Sequence, residues 1–219
     1  MKNNKGVVLI TSIICLLPII FSIIVYESLP MQVAIHWNGI GVADNYAHKS
    51  VAAFGLPILF LVINIISNMI MFKGKIEGQA KAIRFISIWL IPFLAFTVVP
   101  ITLIVALGAE IPVLFVSKLF IGFIFVIVGN YLPKSRQNYI FGIKLPWTLN
   151  SSDNWKSTHR FAGYLYIAVG IIIMAVNFIF IDLAIQMWII LGLIVVLVIV
   201  PIIYSYKKYR RDSKNSDNT

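Results

Sequence analysis

Six apolar stretches, each long enough to cross a bilayer, constrain the fold of this 219-residue chain more than any other feature. A helix rises about 1.5 Å per residue, so roughly 20 residues cross a hydrocarbon core about 30 Å thick. Asp182 marks a turn between the last two stretches, because a single helix there would be far too long. The chain is therefore predicted to be an all-α, polytopic membrane protein with six transmembrane helices at about residues 7–26, 51–72, 85–107, 113–132, 161–181 and 183–206.

The distribution of positive charge predicts the orientation of these helices. Of the 18 Lys and Arg residues, Lys118 lies inside a stretch and Lys49 in the first connection. All the others lie in the N-terminus, the second and fourth connections and the tail, and short cytoplasmic segments keep positive charge. Both termini and loop 133–160 are therefore predicted to be cytoplasmic, and loop 27–50 extracytoplasmic.

The formal net charge of +10 follows from this topology. Basic segments beside helix ends are attracted to anionic lipid headgroups, so membrane lipids are predicted partners. A nucleic-acid-binding face needs its Lys and Arg on one folded surface, whereas here they are divided among four short pieces. Direct nucleic-acid binding is therefore not expected.

The first loop, Glu27–Ser50, carries turn residues rather than a helical pattern. Pro30, the glycines and the Asp44-Asn45 pair predict a compact folded loop that is not a helix. Trp37 and Tyr46 suit the headgroup level of a membrane, where an apolar ring and a polar tip are both accommodated. The residues leave two interpretations open, an interfacial anchor or a contact surface for a ligand.

The second long loop, Pro133–Arg160, alternates aromatic and basic residues and is broken by Gly and Pro. This composition is typical of backbone that lies at a membrane interface. Ser151, Ser152 or Asp153 is a suitable cap for a helix that continues into the fifth span. An interfacial anchor without a partner remains the alternative to a binding loop.

Together the two loops resemble the SdpI family of bacterial membrane immunity proteins, named for protection against the sporulation-delaying peptide toxin. The resemblance covers most of residues 20–180. In the first loop it depends on Leu29-Pro30, Ile35, His36, Trp37, Asn38, Gly41, Asp44 and Tyr46. In the second region it depends on Gly129, Asn130, Tyr131, Leu132, Pro133, Lys134, Asn138, Tyr139, Gly142, Ile143, Lys144, Pro146, Trp147, Thr148, Trp155, Thr158, His159 and Arg160.

The resemblance implies a non-enzymatic membrane protein that gives resistance to a secreted antimicrobial peptide. In the member for which the family is named, immunity is joined to signalling, in which a cytoplasmic transcriptional repressor is held at the membrane. The implied partners are therefore the peptide toxin and such a repressor. The implied organisation is an N-terminal membrane module over residues 1–110, an SdpI-like core over 111–206 and a basic polar tail over 207–219.

The resemblance also suggests a role for each loop. The candidates for facing the toxin are His36, Trp37, Asn38, Gly41, Asp44 and Tyr46. The candidates for signalling or for the core motif are Gly129, Asn130, Pro133, Asn138, Gly142, Pro146, Trp147, Thr148, Trp155, Thr158, His159 and Arg160. His159 itself, beside Arg160, is interpreted as an interfacial residue.

An enzyme is the second class of function, and the residues offer it little. No carboxylate lies inside a span, and the predicted topology separates His36 and His48 from His159, which excludes a three-histidine metal site. No catalytic residue, metal site or cofactor is therefore predicted.

A small multi-span transporter or channel of unknown substrate is the third class and the main alternative. Its signal is polar residues within spans, here Asn64, Asn68, Asn177 and Lys118. Hydrogen bonds between helices explain the asparagines equally well. Lys118 is expected to extend toward the outer helix end and Glu110.

Overall fold

The computed structural model describes residues 2–73, 81–139, 141–179 and 181–216. Ile140 of the second loop, Phe180 of the predicted fifth span and most of the basic connection between Lys73 and Arg84 lie outside the described residues. The chain divides into two compact units, an N-terminal unit that extends to Val113 and a C-terminal unit from Leu114.

The N-terminal unit contains four α-helices within its described residues. Helices α1 (Lys2–Leu16) and α2 (Pro18–Val25) share the first span, followed by α3 (Leu56–Lys73) and α4 (Lys81–Ala106). Pro18 separates α1 from α2 because proline has no N–H to continue the helical ladder. Asn64 of α3 donates a 3.0 Å hydrogen bond to Thr11 Oγ1 of α1. This bond joins two spans, which is the structural role expected for Asn64 as the alternative to a transport site.

The first loop is compact and non-helical over most of its length, and it contains a β-hairpin that the turn residues alone do not predict. Strand β1 (Gln32–Trp37) pairs antiparallel with β2 (Ala43–His48), with Gln32 opposite His48 and Trp37 opposite Ala43. The register shifts between Ala34 and Trp37. Strand β2 is rich in Ala, Asp and Asn, which have low strand propensity, so pairing with β1 rather than its own composition explains its conformation.

The hairpin is fastened to the helices of its own unit through an apolar core. Val33 of β1 and Leu29 before it are buried. They share a cluster with residues from the start of the second span and from α4, namely Ala52, Ala53, Val99 and Leu103. Burial of this side of β1 leaves the opposite side and the turn exposed, so the hairpin presents a fixed outer surface.

The C-terminal unit is built on α5 (Val113–Tyr131), α7 (Ser152–Val176) and α8 (Leu183–Ser216), with the short helix α6 (Pro146–Leu149) in its loop. Helix α7 begins at Ser152 instead of about Phe161, and Ser151 is its N-cap, accepting a hydrogen bond from the Asn154 N–H. The predicted cap is confirmed. The predicted loop 133–160 is too long, because residues 152–160 form the polar first turns of α7.

The α7–α8 connection is a turn, as predicted. The Asp182 carboxylate accepts hydrogen bonds from the N–H groups of Ala184 at 2.8 Å and Ile185 at 3.2 Å, which satisfies two donors at the start of α8. Helix α8 continues to Ser216, so most of the predicted polar tail is helical. Within the tail, Lys208 forms ion pairs with Asp153 of α7 and with Asp212.

Helices α5 and α7 approach closely at two pairs of glycines. A Cβ atom at Gly122 would lie 2.6 Å from the Gly170 carbonyl oxygen, and one at Gly129 would lie 2.6 Å from that of Gly163. The glycines of each helix are seven residues apart, so the two contacts align along antiparallel helices. Small residues permit such close backbone contact between membrane helices.

Six helices within the described residues are long and apolar enough to cross a membrane. The prediction of a mostly helical, multi-pass membrane protein with six spans is confirmed. Placement of both termini on the cytoplasmic side stays a prediction from charge distribution.

Candidate functional site

The hairpin turn is shaped by two of the predicted toxin-facing residues. Asn38 Oδ1 accepts hydrogen bonds from the N–H groups of Ile40 at 3.1 Å and Val42 at 3.0 Å. The Asn38 N–H donates to the Val42 carbonyl oxygen at 2.9 Å. Gly41 has a φ of +85°, in the left-handed region that favours glycine. Asn38 and Gly41 therefore hold the turn in shape, which is a different role from direct contact with a ligand.

Three exposed side chains lie on the two strands that this turn joins, His36 on β1 and Asp44 and Tyr46 on β2. His36 Nδ1 lies 2.5 Å from Asp44 Oδ1, and both side chains are exposed. Tyr46 is 54% exposed, whereas Trp37 is partly buried. An exposed polar pair of this kind contributes little to stability, so these outward groups are available for contacts beyond the chain.

The turn also exposes two apolar residues that the motif does not include. Ile40 is 53% exposed and Val42 is 56% exposed. They lie on either side of Gly41, between β1 and β2, and apolar residues there are not selected by a search for polar motif residues. Apolar side chains at the end of a fixed hairpin provide a contact surface for an amphipathic ligand or for a membrane.

Lys49, the one basic residue of the first loop, fixes the base of the hairpin. Its Nζ donates to the Tyr26 carbonyl oxygen at 3.2 Å and lies 4.5 Å from the centre of the Tyr26 ring. That ring packs against Phe54 at 5.2 Å between centroids. The charge of Lys49 therefore joins the hairpin to the ends of the first two spans.

The C-terminal loop is organised around His159, which is buried. Its Nε2 accepts a 3.0 Å hydrogen bond from the Ile143 N–H, and its Nδ1 lies 2.8 Å from the Trp155 carbonyl oxygen. An imidazole that accepts at one nitrogen and donates at the other is neutral. The interfacial interpretation of His159 is wrong, because the loop folds over the ring and supplies its bonding partner.

Gly142 lies directly against this histidine. Its φ is +117°, and a Cβ atom there would overlap His159 Nε2 and approach the Trp155 ring to 2.9 Å. The Trp155 and His159 rings stack at 3.9 Å between centroids, and Trp155 Nε1 donates to the Ser135 carbonyl oxygen at 2.9 Å. Glycine is required at position 142 for both reasons, backbone conformation and space.

Further motif residues close the loop and fasten it to α8. Thr148 Oγ1 accepts from the Leu145 N–H at 2.9 Å and donates to the Ile143 carbonyl oxygen at 2.8 Å. Trp147 Nε1 donates to Ser205 Oγ at 2.9 Å, and Asn154 Nδ2 donates to the Ser205 carbonyl oxygen at 3.0 Å. Thr158 Oγ1 donates to Asn154 Oδ1 at 2.9 Å. These bonds make the loop part of the folded unit.

Asn138 has the same kind of structural role at the start of the loop. Its Oδ1 accepts from the Phe141 N–H at 2.8 Å, and its Nδ2 donates to the Arg136 carbonyl oxygen at 2.7 Å. Pro133 packs on α7, since its ring would lie 2.7 Å from a Cβ atom at Gly163. Residues 133–160 are therefore a folded, hydrogen-bonded segment, and their location at a membrane interface stays a prediction. Among the described candidates for signalling or the core motif, the exposed residues are Asn130, Pro133, Pro146 and Arg160.

Exposed basic residues occur in the folded loop and in the first turns of α7. Tyr139 is 77% exposed, and Lys144 Nζ donates to its carbonyl oxygen at 3.3 Å. Lys134, Lys156 and Arg160 are exposed as well. We call Lys134, Tyr139, Lys144, Lys156 and Arg160 the basic rim. Its chemistry fits anionic headgroups or an acidic protein surface.

Lys118 is bonded within the C-terminal unit and not to the residue expected. Its Nζ donates to Gln186 Oε1 at 2.5 Å, which corrects the expected approach to Glu110. Across the residues described, no group of three or more His, Cys, Asp or Glu side chains is arranged to hold a metal ion. The predicted site residues thus form two groups, the outward hairpin in the N-terminal unit and the folded loop in the C-terminal unit.

Six helices able to span a membrane, a β-hairpin in the first loop and a folded basic loop define a multi-pass helical membrane protein. Comparison with known proteins supports the resemblance that was based on the two loops. Residues 134–205 match the SdpI/YfhL protein family, and residues 13–61 match a domain of unknown function, DUF1648. The predicted resemblance to the SdpI family is therefore confirmed.

The similarity extends over nearly the whole chain. The immunity protein SdpI of Bacillus subtilis (strain 168) is 28% identical over 214 residues, which are 98% of this chain and 100% of that protein. No solved structure matches the chain.

Proposed function

We propose that this protein is a membrane immunity protein that protects a bacterial cell against a secreted antimicrobial peptide of the sporulation-delaying type. The observation that carries the proposal is the similarity to an immunity protein over 98% of the chain, which includes both loops. The two loops supply surfaces of different kind. The hairpin offers exposed polar and apolar side chains, and the C-terminal loop offers a rigid basic rim.

The hairpin is the proposed site of toxin capture. Its fixed turn presents Ile40 and Val42 beside the polar pair His36 and Asp44, with Tyr46 along β2. A membrane-active peptide is amphipathic, so a surface with apolar and polar groups side by side matches it. Rigidity at the base, through Lys49 and Val33, limits the entropy lost on binding.

The basic rim is the proposed docking surface for a cytoplasmic transcriptional repressor. Its cations are carried by a hydrogen-bonded loop and by the first turns of α7, so the backbone positions that carry them are defined. An acidic patch on a soluble protein is the complementary surface. In this proposal the N-terminal module, residues 1–110, meets the toxin, and the SdpI-like core, residues 111–206, transmits the response with the aid of the basic tail.

The proposal is tested by survival of a toxin-sensitive bacterium across a dose series of the sporulation-delaying peptide, with and without this protein. We expect the protein to raise the lethal dose, and its own transcript to rise after sublethal toxin in its native host. Unchanged killing by the peptide, with correct membrane insertion established, would contradict the immunity proposal and favour transport. Protection without a transcript response would remove only the signalling part.

A further inference from the structure

A groove of about 260 Å³ lies between helices α1 and α4 of the N-terminal unit. Ile10 is 52% exposed and Phe85 is 61% exposed, so the groove is open on its outer side. Five of its six lining side chains are apolar, and an apolar space of this size favours hydrocarbon over water. The groove therefore fits a lipid acyl chain, the hydrocarbon that a membrane supplies. The lining residues are Val7, Ile10, Arg84, Phe85, Ile88 and Trp89.

One end of the groove lies where two spans begin. The apolar spans to which α1 and α4 belong, Lys5–Ser28 and Arg84–Ala106, each start with a basic residue. Basic residues at the start of a span lie at the level of the lipid headgroups. Trp89 is five residues after Arg84, which places it about 8 Å further along α4. The groove thus extends from a charged end at the membrane surface to an apolar end within the hydrocarbon.

Arg84 gives the charged end the chemistry of a phosphate site. Its side chain is exposed, and its guanidinium group lies 5.2 Å from the centre of the Phe72 ring. The guanidinium has five N–H donors in a planar fork that matches phosphate oxygens, so other contacts still leave donors for a phosphate. Lys5 is also exposed, and the first turns of α1 and α4 contain neither Asp nor Glu. This end of the groove therefore attracts an anion.

We propose that this groove binds one anionic phospholipid, with its phosphate at Arg84 and an acyl chain against Ile10, Ile88 and Trp89. A zwitterionic headgroup fits less well, because it would bring its own cation toward Arg84 and Lys5. A second copy of the chain also fits less well, because a two-fold contact through the groove would place the cations of both copies at one interface. A lipid that contacts both helices would stabilise their packing. The inference is independent of the proposed immunity function.

The test uses Trp89, which lines the groove, as its own reporter. The full chain is reconstituted in phosphatidylcholine vesicles that contain a small fraction of lipid with brominated chains, which quench tryptophan fluorescence on contact. The brominated lipid is either phosphatidylglycerol or phosphatidylcholine with the same chains. The chain has five tryptophans, so the signal of Trp89 is the difference between the unaltered protein and Trp89→Phe. We expect phosphatidylglycerol to quench Trp89 at about tenfold lower lipid fraction than phosphatidylcholine.

Two pairs of variants separate the headgroup contact from the chain contact. Arg84→Gln should abolish the preference for phosphatidylglycerol, whereas Arg210→Gln, which removes the same charge from an exposed position on α8, should keep it. Ile10→Phe adds bulk within the groove and should weaken quenching of Trp89 by both lipids. Its matched control is Ile13→Phe, because Ile13 is 50% exposed on α1 and does not line the groove. Thermal unfolding in detergent establishes that each variant is folded.

Equal quenching of Trp89 by the two brominated lipids would overturn the inference, because the groove would then be ordinary lipid-facing surface. A preference that persists in Arg84→Gln would also overturn it, since the phosphate would then bind elsewhere. Quenching by neither lipid would overturn it in favour of a groove covered by protein, such as a second copy of the chain. The readout is fluorescence and not survival, so none of these results depends on whether the protein protects against a toxin.

Discussion

The hairpin lies in the segment that matches DUF1648 and the C-terminal loop in the segment that matches the SdpI/YfhL protein family, and the motif residues of the two loops have different roles. In the hairpin, His36, Asp44 and Tyr46 are exposed and contact little else. In the C-terminal loop, Trp155 and His159 are buried and hydrogen-bonded. A motif residue is therefore not by itself a binding residue. The burial of each side chain distinguishes residues that support a surface from residues that are exposed on it.

The first test of this comparison is Gly142→Ala, for which the largest effect is expected. The substitution adds backbone strain at a φ of +117° and overlap with the His159 ring. Together these should cost about 3 kcal/mol or more and reduce membrane abundance. The measurement is thermal unfolding in detergent, with immunity assayed at equal abundance.

Gly108→Ala is the matched control for Gly142→Ala. Gly108 has a φ of +97° but nothing within 4 Å of a Cβ atom. It should therefore show the cost of strain alone, about 1 kcal/mol. Equal destabilisation by the two variants would mean that contact with His159 does not constrain the loop.

The second test applies one substitution to both histidines. His159→Phe keeps a flat ring against Trp155 but leaves the Ile143 N–H without its acceptor, which should cost about 1 to 3 kcal/mol. His36→Phe removes only an exposed pair with Asp44 and should change stability by less than about 0.5 kcal/mol. Thermal unfolding of the two variants, side by side, measures the difference. A larger loss from His36→Phe would reverse the assignment of structural and surface roles.

The helices could be predicted from the sequence because a bilayer demands length and apolarity, which are local properties. The turn at Asp182 was predictable from the length of the apolar run around it. Ser151 was one of three candidate caps, since capping depends on the next few residues. The burial of His159 was not, because its partner Ile143 is 16 residues away and acts through its backbone. The pairing of Lys118 with Gln186, 68 residues apart, likewise depends on how α5 and α8 pack. Spans that are apolar on all sides give no periodicity from which to derive that packing.

The hairpin shows the same limit on a smaller scale. Pro30 and Gly41 indicate turns, and both the compact loop and its lack of α-helix follow from them. The strands do not follow, because β2 is short and polar and depends on its partner strand. Ile40 and Val42 were not candidates, because apolar residues in a membrane protein are unremarkable until a structure shows them exposed on a turn.

The third test asks whether the hairpin surface functions without contributing to stability. Replacing His36, Trp37 and Asn38 together by alanine should lower protection against the toxin. This variant also disturbs the turn, because it removes the Asn38 side chain. Ile40→Ser with Val42→Ser is the sharper variant, since both side chains are exposed and their N–H groups remain bonded to Asn38 Oδ1. Removing two apolar contacts should weaken capture by about tenfold or more, with stability changed by less than about 0.5 kcal/mol.

Gln32→Ala with Asn45→Ala is the matched control on the same hairpin. Both residues are exposed strand positions outside the motif, so substitution there should leave protection unchanged. The readout is the lethal dose of the peptide at equal membrane abundance. If the serine variant protects as well as the control, the apolar turn does not contact the toxin, and the outward polar residues His36, Asp44 and Tyr46 must account for capture. If both variants lose protection to the same extent, the hairpin acts through its overall fold. The distinction between supporting and exposed residues would then apply only to the C-terminal loop.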